Sequence, residues 1–364
     1  MKRSLTDYDR PLLDPSLKTG LILCGMGGPD GPDAVEPFLR NLFRDPEIFP
    51  LPKFIAGFVG AMIAKRRAPK VQEDYASLAD DSATTQLATT LLQSEDLAAL
   101  IASTHAVVPG VAMRYWHPFP KETVPQLVAE GAQQFVIVPM YPQFSWATNG
   151  STINFVLESI PPEIPVQVIA DWHLLQGYLD ALAQPIIQTL TKWAEEKRDP
   201  KVTTLMYVAH SLPESFVKKG DPYEIRTHET INAVQKLVTK ALADAGHEEW
   251  FAHFLCGGTE PHLAYQSKVG PITWLGPEAV IETERLGGLG VHNLCLQPVS
   301  FTCEHIETNL ELDIELREIA DEAGITDFQR GAALNQNEGW LRDLAHLVTS
   351  KAFAAKEGAL VGDA

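Results

Sequence analysis

The chain has 364 residues, a formal net charge of −18 and 45% hydrophobic residues, with ordinary glycine and proline content. That length suits two domains of about 150 residues each and excludes a disordered or fibrous class. The acidic balance argues against a nucleic-acid partner, which needs clustered Lys and Arg along a phosphate track.

Residues 1–20 contain no apolar core segment and read as neither signal peptide nor anchor. The first strand is expected at 21–26 (LILCGM) and is followed by GMGGPDG. Asp30 stands where a dinucleotide fingerprint needs its third glycine, so this loop is read as backbone that lets a flat ligand approach closely. The longest apolar run, 54–64 (FIAGFVGAMIA), has about half the ~20 residues of a membrane span. It ends in Lys65, Arg66, Arg67 and Lys70. Either this is a solvated helix end, or 54–67 forms a lip that touches a greasy ligand or an anionic membrane surface.

Further strands are expected at 111–116, 134–140, 166–171, 203–210, 250–255 and 292–300, and helices at 83–103, 121–131, 173–196, 224–245, 306–322 and 336–353. This alternation predicts an α/β protein of two Rossmann-like halves, each a parallel sheet flanked by helices, with a C-terminal helix. The expected halves are 18–172 and 173–353, with 354–364 as a flexible tail. No sequence repeat relates them. Ligands of such sheets bind beyond the carboxyl ends of the strands.

Polar groups gather at those ends. CEHIETNLELDIE (303–315) puts Glu307, Glu311 and Glu315 at i, i+4 and i+8, so a continuous α-helix stacks three carboxylates on one face. Like charges at this spacing cost about 0.2–0.5 kcal/mol per pair. The plain reading is a solvated acidic face; the functional one is a path of oxygen ligands for a divalent cation, or a proton relay. His210 ends the run TTLMYVAH, and alone it is an ordinary rim histidine. Beside Glu307 it completes an imidazole–carboxylate pair that suits ferrous iron or proton transfer. Cys24, Cys256, Cys295 and Cys303 form no CxxC pair, which fits free thiols in a reducing compartment, with the cytoplasm as default and peripheral contact at the inner membrane face.

VAHSLP with GDPY (220–223), YPQFSWATNGS (141–151), QSKVGPITWLGP (266–277) and SFTCEHIETNLELDIE (300–315) occur in one order over 18–352, and as a set they resemble the ferrochelatases. The resemblance implies iron insertion into protoporphyrin IX at the end of haem synthesis, with porphyrin and ferrous iron as substrates and no nucleic acid. It implies a catalytic His210, Glu307 and His305, and metal contacts from His210, Glu307, Glu311 and Glu315. It also implies porphyrin contacts from Met26, Arg67, Tyr75, Arg114, Tyr141, Ser267, Lys268, Trp274 and Phe301, with Arg67, Ser267 and Lys268 on the propionates. Three positions depart from the family pattern: ADDSA at 79–83 replaces a glycine-rich loop, Glu304 replaces Asp, and Asn309-Leu310 replaces an apolar–aromatic pair. No cysteine follows Cys303, so no iron–sulfur cluster of the animal type is expected and no resident cofactor is assigned. Competing readings are a related chelatase for cobalt, nickel or coproporphyrin III, a non-catalytic porphyrin or haem carrier, and a two-half sugar or nucleotide enzyme. The motifs set no oligomeric state.

Overall fold

Short, mostly apolar runs form two four-stranded parallel sheets in the computed structural model, which describes residues 5–45, 53–78, 85–248, 250, 262–268 and 272–354. In the first sheet the strands are β1 (Thr19–Gly25), β2 (Val107–Met113), β3 (Gln134–Pro139) and β4 (Val166–Val168), ordered β2-β1-β3-β4. β5 (Thr203–His210), β6 (His262–Gln266), β7 (Asn293–Pro298) and β8 (Asp327–Arg330) make the second, ordered β6-β5-β7-β8. The two orders are the same pattern. β1, β3 and β7 are buried at every position, as strands covered on both faces must be.

The helices are α1 (Pro32–Phe43), α2 (Lys53–Ser77), α3 (Thr85–Ile101), α4 (Pro120–Ala129), α5 (Ser151–Leu157), α6 (Gln176–Glu195), α7 (Glu214–Val217), α8 (Tyr223–Asp244), α9 (Ala279–Gly288), α10 (Ile306–Asn309), α11 (Leu316–Glu322) and α12 (Glu338–Ala352). Two π-helical turns, Trp146–Gly150 and Glu311–Glu315, precede α5 and α11. The chain divides into two compact units: the described residues of 1–72, 87–172 and 341–364, and those of 73–86 and 173–340.

The first unit buries Leu21, Ile22, Leu23, Phe135, Ile137 and Val138 at its centre. At its base the Gln134 amide donates to Asp14 O (2.7 Å) and Thr19 Oγ1 (2.9 Å), fixing the entry into β1. Most of α12 also belongs here: Leu13 donates to Ala352 O (2.8 Å), and His105 stacks on Phe353 at 4.1 Å. Sequence order had put that helix in the second half; its apolar face is claimed by the first unit instead. In the second unit Met206, Val208, Leu286, Leu294, Leu296, Leu312, Leu316 and Phe328 form one core beneath α9 and α11.

Several boundaries differ from those read in the sequence. β2 covers 107–113 rather than 111–116, because its first residues pair with Thr19 and Gly20 of β1. β6 and β8 are additional strands, and each lies at a sheet edge. Of the strand expected at 250–255, residues 251–255 lie outside the described residues, as do the 79–83 loop and 355–364 of the tail. The helix expected over 306–322 is interrupted by the second π-turn. Among the described residues, no helix is long and apolar enough to cross a membrane.

Candidate functional site

β5 delivers His210 to the carboxyl end of the second sheet, where burial gives way to a side chain 34% exposed. Its Nδ1 lies 2.7 Å from the Ser211 carbonyl, which only accepts hydrogen bonds. Nδ1 therefore donates to that carbonyl, and Nε2 is the ring atom directed toward Glu307. The backbone at this point is braced from three sides. Tyr223 Oη donates to His210 O (2.8 Å), Ser211 N–H donates to Gln266 O (2.9 Å), and Ser211 Oγ donates to Leu275 O (3.0 Å). Gly220 supplies a left-handed turn (φ 99°), after which Asp221 Oδ1 accepts from Tyr223 N–H (3.0 Å) and starts α8. Thus residues from VAHSLP, from GDPY and from the two described ends of QSKVGPITWLGP meet around one histidine.

The segment after β7 carries the second group. Phe301 meets His305 edge to face (4.6 Å), and the His305 N–H donates to Thr308 Oγ1 (2.9 Å) at the start of α10. Glu307 then points its Oε2 to 3.7 Å from His210 Nε2 and 4.0 Å from His305 Nε2. Glu307 Oε2 and His305 Nδ1 are buried without a hydrogen-bond partner. An orphaned carboxylate oxygen costs about 1–3 kcal/mol or more, a cost that a proton or cation would remove. Burial pushes the His305 imidazole below its usual value, with Glu307 opposing, so His305 stays neutral. Burial, then the Glu307 charge, holds the Tyr75 phenol above its usual range, which places Tyr75 in the field of this carboxylate.

The acidic line does not continue as a single face. Leu310 O accepts from Ile314 N (3.2 Å) and from Glu315 N (2.9 Å), the second bond closing a π-turn that moves later residues out of the i+4 register. Glu311 consequently turns inward. Its Oε2 accepts from Ser267 Oγ (2.7 Å) and Gln266 Nε2 (2.9 Å), and Gln266 Nε2 also donates to Glu307 O (2.9 Å). Burial and then the Glu307 charge raise the Glu311 carboxyl to about 7. Glu315 is exposed. Among the described residues no group of three or more His, Cys, Asp or Glu is gathered tightly enough to hold a metal ion.

The other expected contacts are dispersed. Ser267 Oγ donates to Glu311 Oε2 (2.7 Å), and Lys268 Nζ pairs with Glu278 Oε1 (2.5 Å). Trp274 is half-buried and bridges through its backbone to Pro213. In the first unit, Met26 and Tyr141 are half-buried, and Tyr141 O accepts from Asn149 Nδ2 (2.8 Å), which organises the loop ahead of α5. Arg67 is exposed, its guanidinium 5.8 Å from the Phe43 ring centroid. Arg114, its side chain 10% exposed, pairs with Asp45 Oδ2 (2.6 Å) and donates through Nε to Tyr115 Oη (2.9 Å) and through Nη1 to Ser151 O. Gln266, Tyr223, Arg330 and Asp313 were not assigned from sequence. Gln266 and Tyr223 lie inside the quoted motifs, so their signal was present; Arg330 lies in a strand without an apolar run.

Two parallel-sheet units, one with an imidazole–carboxylate set past its strand ends, define an α/β protein equipped to handle a proton or a borderline divalent ion. A profile of the ferrochelatase family matches residues 18–352. The ferrochelatase of Thermosynechococcus vestitus is 39% identical over 350 residues, covering 93% of this chain and 83% of that one. That of Gloeothece citriformis is 36% identical over 340 residues, covering 91% and 82%. Among solved structures, the sirohydrochlorin chelatase SirB from Bacillus subtilis subspecies spizizenii in complex with cobalt is similar at 10% identity and a TM-score of 0.47, covering 92% of this chain and 96% of that one. The chain belongs to the ferrochelatase family.

Proposed function

We propose that this chain inserts ferrous iron into protoporphyrin IX to give protohaem, and that His210 and Glu307 are the pair that performs the exchange. The observation that carries the reading is His210 Nε2 lying 3.7 Å from Glu307 Oε2, an oxygen buried without a hydrogen-bond partner. Insertion releases two pyrrole protons as the ferrous ion sheds water, so the site must accept protons and offer transient ligands. A neutral imidazole and a carboxylate do both, since each is a base and each ligates ferrous iron. The Ser211 carbonyl keeps the imidazole in one tautomer and ready to accept. His305, buried and neutral beside them, limits the orientations open to Glu307. No electron moves in this exchange, so the chemistry calls for no redox cofactor, and iron enters as substrate.

Anaerobic incubation with ferrous iron and protoporphyrin should quench porphyrin fluorescence as metal enters, and coproporphyrin III in parallel should react more slowly. His210→Ala and Glu307→Gln should each nearly abolish turnover, and the double change should add little. Substantial turnover by either single variant would refute the pair.

Peripheral contact with anionic bilayers is the second part of the proposal. On α2, Phe58 is 75% and Met62 58% exposed, four residues apart, and exposed Lys65, Arg66 and Arg67 follow within two turns. Anionic liposomes should float the wild type and lose Phe58→Ser/Met62→Ser. Equal flotation of both, or of neither, counts against it.

A further inference from the structure

Arg330, the last residue of β8, is 10% exposed at its side chain and surrounded by carboxylates from a different part of the chain. Its Nε and Nη2 take Asp313 in a two-point grip, at 2.7 Å to Oδ1 and 2.5 Å to Oδ2. Nη1 reaches Glu304 Oε1 (2.9 Å), which also accepts the Ala333 N–H (2.7 Å). Glu304 precedes Glu307 by three residues and Asp313 follows Glu311 by two, so one guanidinium holds both flanks of the segment that carries the inward carboxylates. A second arginine reinforces one flank: Arg317 donates to Asp313 O (3.1 Å) and to Phe328 O of β8 (2.8 Å). The other flank is held at its backbone, where Glu304 N–H donates to Asn335 Oδ1 (2.9 Å) and Glu304 O accepts from Thr85 Oγ1 (2.8 Å).

From these contacts we infer that Arg330 is the positioning residue of the iron-handling segment, setting the spacing of Glu307 and Glu311 by clamping Glu304 and Asp313 at either end. The physical case is one of geometry. A π-turn has poorer backbone bonding than an α-helix and persists where side chains over-determine it. Here Asp313, inside the turn, is tied to the edge strand by a planar fork that lysine cannot reproduce. Release of that fork lets 311–315 relax toward α-helical register and carries Glu311 away from Ser267 and Gln266. The Glu304 side chain, one methylene longer than the Asp of the family pattern, is in this chain the reach that joins the loop to Arg330.

The inference rests on the assignment of His210 and Glu307, and its test keeps the two apart. Ferrous-iron and porphyrin dependence of turnover would be measured for Arg330→Lys and for Arg330→Met/Glu304→Gln, with His210→Ala alongside and urea unfolding on all. The double variant removes one positive and one negative charge, so the net charge is kept, and the one anion that loses its partner is Asp313, whose side chain is 31% exposed to water. Both variants should show a roughly tenfold to hundredfold loss of kcat/KM for iron, while porphyrin binding stays within about twofold of wild type, because a misplacement near 1 Å has that scale of effect on the reacting groups alone. The double variant should lose iron turnover even when its unfolding midpoint matches wild type, which a purely structural role would not produce. Wild-type iron kinetics in a folded Arg330→Lys or in the double variant, with His210→Ala inactive, overturns the clamp and leaves the pair standing. Activity in His210→Ala overturns the underlying assignment instead.

Discussion

Replacing Glu311 by glutamine should stabilise the protein at pH 8 and leave its stability near pH 4.5 unchanged. The carboxyl titrates at about 7 in the folded chain, raised from 4.5 by burial and by the Glu307 charge. Between those values the unfolded chain has released a proton that the folded chain retains, so stability falls as pH rises and the loss is complete above about 7. At about 1.4 kcal/mol per pH unit the full cost approaches ~3 kcal/mol. Sharing of the charge with Glu307 divides that figure, so the measurable gain in Glu311→Gln should lie nearer ~1–2 kcal/mol. Glutamine has the shape of the protonated acid and keeps an acceptor for the Gln266 amide, so packing changes little. Urea unfolding of both proteins at half-unit steps from pH 4.5 to 8.5 reads the difference directly. A difference that is flat with pH, or that grows toward acid, would refute the reasoning.

Arg114→Met should cost about 3–5 kcal/mol, because it takes the guanidinium away from Asp45, 8% exposed, which Tyr115 Oη alone cannot compensate; adding Asp45→Asn should recover much of the loss. A urea midpoint within 1 kcal/mol of wild type for Arg114→Met would show that the pair is dispensable. Gly287→Ala would place a Cβ 2.3 Å from Ala323 O and 2.6 Å from Ala323 Cβ, forcing α9 and α11 apart. The overpacking cost of ~1–3 kcal/mol should exceed the usual helical gain over glycine, and a raised thermal midpoint would contradict it.

The central strands were legible because burial on both faces writes a continuous apolar run, as in LILCG of β1 and LMYVA of β5. β8 was not, since an edge strand needs to bury only Phe328 of its four residues, and DFQR carries no period to read. β6 was hidden in the same way by His262 at its start and Gln266 at its end. At the site, the pairing expected of His210 with Glu307 rests on their places at the ends of strands, and the two side chains lie 3.7 Å apart. The acidic line was misread for a definite reason: a spacing of four places carboxylates on one face only if the helix is α throughout, and this one is held as a π-turn by Arg330 and Arg317. The pairing of Arg114 with Asp45 was not legible, because the two lie 69 residues apart in the chain, a distance at which no local pattern pairs them.

The matching strand orders of the two sheets place β1 and β5 at the same topological address. Where β5 ends it offers an imidazole and a tyrosine-braced carbonyl; where β1 ends it offers Gly25-Met26-Gly27, with Gly27 at φ 78° beneath Met113 and the Trp116 backbone. A side chain at Gly27 would collide with Met113 at 2.9 Å, so that address stays bare. One frame thus occurs twice with opposite furnishing, reactive groups in one copy and smooth main chain in the other. Chemistry in this architecture is therefore written in the few residues after a strand, and the frame itself remains neutral as to which copy performs it.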